Sequence, residues 1–155
     1  MDAYAAILSA HSLLRWVFLI LAVVVLVRSV GGWRGGREAS ASDDPLHMAF
    51  VTTLDLQVLL GLGLYFGLSP VTQTFFNDPA TSMGIAGIRF FAVEHATLMV
   101  IALIVAHVGR VLVKKAEPGP GRYRVMALNT GIVILIVVAA IPWPFVPAAR
   151  PLFRM

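Results

Sequence analysis

Four histidines, His11, His47, His95 and His107, are the residues best suited to chemistry, because imidazole ligates iron, copper and zinc and exchanges protons near neutral pH. They stand in long apolar runs with a few other polar groups. Arg15 follows His11 by four residues, Arg89 and Glu94 precede His95, and Asp55 and Gln57 interrupt the second run. Ionisable groups in such runs are costly and are kept mostly for function, so they define the candidate site. The chain has no cysteine, which excludes disulfides, thiolate metal sites and iron–sulfur clusters. No nucleophile elbow, phosphate loop or soluble-enzyme triad is present.

The elements that must position these residues follow from composition. Of the 155 residues, 59% are hydrophobic and only 13% charged, and the mean hydropathy is +0.86. Such values lie outside the range of ordinary soluble domains. An all-α integral membrane protein is expected, a single membrane domain over 1–155 built as a four-transmembrane-helix bundle with short loops and an extended Pro-rich C-terminal tail. About 20 residues cross the hydrocarbon, and four windows are long enough, approximately 7–30, 46–68, 88–113 and 125–141. No basic leader precedes the first run, so that helix is expected to remain uncleaved.

Local signals refine the windows. The first helix is expected to stop at Arg28 and Gly31-Gly32-Trp33, before a small polar linker. Asp44-Pro45 reads as a helix start, with Asp44 as N-cap and proline at the first helical position. Gly63 and Gly67 form a small-xxx-small pair, which reads as a packing seam. Asn77-Asp78-Pro79 reads as a turn, and the loop from Lys114 to Arg124 as short and exposed. The prolines of Pro142-Trp143-Pro144-Phe145, Pro147 and Pro151 bar a helix, so the tail either lies along the headgroups or caps the bundle.

The twelve Lys and Arg residues set the topology. Arg28, Arg34, Arg37, Arg110, Lys114, Lys115, Arg122 and Arg124 flank one side. Arg15, Arg89, Arg150 and Arg154 flank the other. By the positive-inside rule both termini face outward, and the positive net charge reflects topogenic loops and lipid contact rather than nucleic acid. His11 and His95 then lie near the outer face, in the opening turns of the first and third helices, and His47 and His107 near the inner one.

Diagonal histidines at matched depth are what a haem iron requires of two axial imidazoles, and bundle cores commonly hold cofactors between facing helices. Arg15, one turn deeper than His11, can pair with a propionate or with Glu94. A faint repeat accompanies the pair: aligning His11 with His95 also matches Leu14 with Leu98, Leu19 with Leu103, Ile20 with Ile104, Ala22 with Ala106 and Val24 with Val108. The alternative without a cofactor is two outer histidines bonded to Glu94, the backbone or water.

A second site at His47 and His107 is geometrically poorer. His95 and His107 are about 18 Å apart along one helix, but their rings point roughly 120° apart. His47 reads as an interfacial residue at a helix start, and His107 as a polar neighbour of Arg110. Asp55 reads either as a structural ion pair with Arg28 or Arg110 or as part of a proton path, and Gln57 can bond a ligand histidine.

The residues His11-Ser12-Leu13-Leu14-Arg15-Trp16, Gln57 with Leu60-Gly61-Leu62 and Tyr65, Arg89-Phe90-Phe91 with Glu94-His95, and Ile141-Pro142-Trp143-Pro144-Phe145 carry a resemblance. Over nearly its whole length the chain resembles a small family of bacterial four-span membrane proteins often labelled cytochrome B. The resemblance implies that His11, Arg15, Gln57, Arg89, Glu94 and His95 belong to its polar motifs, and that His47 and His107 do not.

The resulting expectation is a b-type haem protein of the bacterial inner membrane. His11 and His95 are its axial ligands, Arg15 and Arg89 lie near the propionates, and Glu94 and Gln57 support the ligands. It carries one haem b rather than two and transfers electrons, with quinol as a candidate partner. Two alternatives are a cofactor-free accessory subunit of a larger respiratory or photosynthetic complex, or of a homo-oligomer, and a copper or zinc ion held by the same histidines with Glu94.

Overall fold

The computed structural model describes residues 2–38, 40 and 42–151; Arg154, counted in the charge asymmetry, lies outside them. The described residues are helical with no strand. Four helices are long and apolar enough to cross a membrane: α1 (Ala3–Arg34), α2 (Asp43–Leu68), α5 (Ala86–Lys115) and α6 (Pro120–Ala140). Two short helices, α3 (Pro70–Asn77) and α4 (Pro79–Ser82), join α2 to α5.

Each long helix packs against two others, in the cyclic order α1, α2, α5, α6. This leaves α1 and α5 diagonally opposed and running in the same direction. Small residues sit where the helices close on the axis, Ala22 on α1, Ala102 and Ala106 on α5, with Phe18, Phe50, Leu54 and Val133 filling between them. The repeat between α1 and α5 carries over into packing. Ala22 and Ala106 are both fully buried, and Ile20 and Ile104 both face outward.

Several helix ends differ from the sequence expectations. Helix α1 starts at Ala3 because the Asp2 carboxylate caps the Ala5 amide at 2.7 Å. It also passes through Gly31-Gly32 instead of stopping there. A Cβ on Gly32 would lie 2.7 Å from the Tyr123 ring, so this glycine serves a close helix contact. Ser42, not Asp44, precedes α2, and Asp44 forms ion pairs instead of a cap. Helix α6 begins at Pro120, which draws Arg122 and Arg124 out of the expected loop. The Asn77-Asp78-Pro79 turn is formed by the Asp78 carboxylate, which accepts from the Thr81 amide at 3.2 Å. The Thr81 hydroxyl, and after it that amide, hold the carboxyl below the usual carboxylate range. The Gly63 and Gly67 Cβ positions meet nothing within 4 Å, so the expected seam is unfilled within this chain.

The tail is not extended. Prolines bar a helix, but successive turns form, with Val146 bonded to Trp143 and Ala149 to Val146, and the Arg150 amide donates to Pro142 at 3.3 Å. Ile141 and Ala148 are buried, and the tail folds over the end of the bundle.

Candidate functional site

The site lies between α1 and α5 near the end that the tail covers. His11 follows two turns after the start of α1. His95 follows a π-helical turn at Phe90–Glu94, a widened turn of the kind that recurs at functional sites. A second π-helical turn ends α2 at Leu64–Leu68. The two are tied by the Tyr65 hydroxyl, which donates to the Ala92 carbonyl at 2.8 Å.

Across the bundle, the His11 and His95 ring centroids are 6.4 Å apart with planes inclined by 70°. His95 is oriented by Nδ1, which lies 2.8 Å from the Ala140 carbonyl. A carbonyl only accepts, so Nδ1 carries the proton, and in the neutral ring Nε2 holds the free lone pair. His11 is held through its backbone, whose carbonyl accepts from Gln57 Nε2 at 3.0 Å. Its own Nδ1 is buried with no hydrogen-bond partner among the described residues, as is Gln57 Oε1. Gly61 lies behind the ring, where a Cβ would stand 3.3 Å from His11 Cε1.

Two cavities meet at this pair. One of about 330 Å³ runs from the histidines toward the tail and is lined by Arg15, Phe18, Tyr65, Ile141, Pro142 and Arg150 among others. The second, about 400 Å³, opens between α2 and α5 beside Val58, Leu62, Phe66 and Val100. His11, His95, Gln57, Gly61, Tyr65 and Met99 border both. Among the described residues, the first cavity is lined by two guanidinium groups and no carboxylate.

The remaining sequence candidates divide sharply. Arg15 borders the first cavity, reaches Ser12 at 3.5 Å and lies 5.4 Å from the Trp16 ring centre. Arg89 and Glu94 pair with each other at 2.8 Å and border neither cavity. Gln57 touches the His11 backbone rather than its ring. Arg150 takes the cavity-lining place expected for Arg89, and its guanidinium lies 5.4 Å from the Phe91 ring centre.

His47 and His107 do not meet. His47 is fully buried, stacked on Phe50 at 5.9 Å, with Nδ1 3.4 Å from Arg110. It lies about one turn after the start of α2 and faces the bundle interior. His107 instead pairs with Asp55, Nε2 to Oδ1 at 2.7 Å, on the outer surface of the bundle. The arginines expected beside Asp55 are engaged elsewhere, Arg28 with Asp43 and Arg110 with Asp44.

Tyr65, Gly61 and Arg150 entered the sequence reading only as motif or topogenic residues. A signal was present for two of them: Gln57, Gly61 and Tyr65 recur every four residues, and so share one helix face. Among the described residues no three His, Asp or Glu side chains converge as a metal cluster. No family model, curated protein or solved structure matches this chain.

Proposed function

We propose that the chain is a multi-pass protein of the bacterial inner membrane, with both termini outside, that binds one haem b between His11 and His95 and transfers electrons. The observation that carries this reading is the 6.4 Å separation of the two ring centroids across the bundle diagonal. His11 and His95 would hold the iron through one ring nitrogen each, and their spacing leaves room for one metal ion between the rings.

The surroundings fit the group. Two mainly apolar cavities adjoin the histidines, so a flat macrocycle between them would find space on both sides. Gly61 keeps the wall behind His11 thin, and Arg15 and Arg150 give the first cavity a positive lining suited to propionates. Two histidines without a third donor favour a metal that brings its own equatorial ligands over a protein-bound copper or zinc ion.

When bound, the haem supplies a one-electron couple at its iron. The chain's residues hold and orient it. Ala140 fixes the His95 ring through Nδ1, Gln57 fixes the His11 backbone, and Tyr65 joins the two π-helical turns around the site. The tail, through Ile141 and Pro142, restricts water at the mouth. Quinol is the proposed electron partner.

Oxidised and dithionite-reduced spectra of protein purified from membranes test this. A Soret band with sharp reduced α and β bands is expected, and it is lost in His95→Ala. A colourless protein overturns the haem. Protein free of haem and of copper or zinc by metal analysis, purifying with a large respiratory complex, would favour the accessory subunit. The open Gly63 and Gly67 positions suit that outcome.

A further inference from the structure

The Asp55–His107 pair is unused by the proposed site, and its location is unusual. Asp55 lies twelve residues after the start of α2 at Asp43 and thirteen before its end at Leu68, and His107 lies eight residues before the end of α5 at Lys115, so the pair stands inside the apolar part of both helices. Its side chain is 41% exposed and that of His107 56%, so both face out of the bundle. Around them the surface is apolar: Met48 and Leu59 on α2, Ile104 and Val111 on α5, each at least half exposed. In a bilayer, ionisable side chains within spanning segments are costly when they face lipid, and they almost always face protein or a water-filled cavity.

We propose that this α2–α5 face is covered by a second copy of the chain, with Asp55 of each copy against His107 of its partner. Three features select a second copy over a foreign helix. Copies inserted in one orientation are related by an axis along the membrane normal, so their polar pairs lie at the same depth without further design. The pair also carries one acceptor and one donor side by side, so a two-fold axis next to it turns each toward its opposite. With both ring nitrogens protonated, His107 donates from Nε2 to Asp55 of its own copy, at 2.7 Å, and has Nδ1 left to donate to the second carboxylate oxygen of Asp55 in the other copy. The inference rests on membrane insertion and does not depend on haem.

The absence of native cysteine makes the test direct. Leu59→Cys places a thiol one turn from Asp55 on this face, and Leu135→Cys places one on the exposed surface of α6. In native membranes, a short bis-maleimide is expected to link most Leu59→Cys protein into dimers and to link Leu135→Cys at least fivefold less. Asp55→Ala combined with His107→Ala should lower the Leu59 yield at least fivefold. The exchange Asp55→His with His107→Asp preserves the self-complementary pattern and should restore it, which separates lost pairing from misfolding. Equal linking at the two positions, an unchanged yield in the double alanine variant, or no recovery in the exchanged variant overturns the proposal. A normal haem spectrum in an unlinked monomer would sink this interface while leaving the proposed site intact.

Discussion

The molecule holds inward-facing histidine in two settings, one at each end of the bundle. At the tail-covered end, His11 and His95 face each other across two cavities, and His11 Nδ1 and Gln57 Oε1 lack partners. At the basic end, His47 is packed on Phe50 beside an Arg110 that binds Asp44 through two bonds, 2.7 and 2.8 Å long. Nearby, Asp43 accepts from the Tyr123 hydroxyl and from Arg28. One end keeps open space beside its histidines, while the other packs its polar groups between helices, with His47 Nε2 likewise buried and without a partner among the described residues. A histidine facing the bundle interior therefore has no single meaning here, and the open space beside the ring distinguishes a ligand from a brace.

The largest test of that contrast is removal of one histidine from each end. His11→Ala or His95→Ala should abolish the Soret band, whereas His47→Ala should keep it. The His47 change instead empties a packed volume and should destabilise the protein by about 2–3 kcal/mol, comparable to other large-to-small core substitutions. A denaturation series in detergent with absorbance read alongside helicity separates the two effects. If His47→Ala also loses haem at full helicity, the division between the ends fails.

Next in size is Arg110→Ala. It strips Asp44 of its two-bonded partner and leaves the buried His47 ring without its cation, which should cost about 2–3 kcal/mol. The figure is discounted because the Asp44 side chain is 46% exposed. Haem content of the folded fraction should be unchanged.

Glycine substitutions sharpen the comparison at finer scale. Gly32→Ala pushes a methyl to within 2.7 Å of the Tyr123 ring. The overpacking should cost about 1–3 kcal/mol without altering the spectrum. Gly61→Ala meets the His11 ring, 3.3 Å from Cε1 and 3.8 Å from Nδ1, so stability should change by less than about 1 kcal/mol. Its effect should appear as a shifted Soret maximum and a changed midpoint potential. A spectral change in Gly32→Ala and none in Gly61→Ala would reverse the roles assigned to the two ends.

Much of this architecture is legible from sequence because hydrocarbon length and apolar composition leave few solutions for the backbone. The four windows, the parallel α1 and α5, and the juxtaposition of His11 with His95 all follow from run lengths and helix order. Partner choice is another matter. Arg89 reads as a cavity residue until the π-helical turn beside it shows Glu94 within reach, and a one-residue widening leaves no composition signal. Asp55 likewise was expected to find an arginine. Its pairing with His107 depends on how α2 and α5 are rotated, and both helices are apolar on nearly every face. Arg150 was hidden for a different reason, since a proline-rich tail gives no periodicity from which its return to the bundle can be inferred.

The smallest predicted effect falls on Tyr65, where the two π-helical turns meet. Tyr65→Phe keeps the ring and its edge contacts with Phe66 and Phe76 but removes the donor to the Ala92 carbonyl. Loss of one such bond should cost about 1 kcal/mol. At the basic end, Tyr123→Phe removes a hydroxyl that reaches Asp43 and the Glu38 carbonyl, which should cost at least as much. The two hydroxyls differ in what lies next to them. Tyr65 borders both cavities and holds the turn that ends immediately before His95, so freeing it should loosen the ring's orientation and broaden the low-spin signal of the oxidised haem in electron paramagnetic resonance. Tyr123 contacts only the basic end, so the same signal should be unmoved there. Identical signals in both variants, at matched losses of stability, would mean that the π-helical turns shape the fold without tuning the histidine.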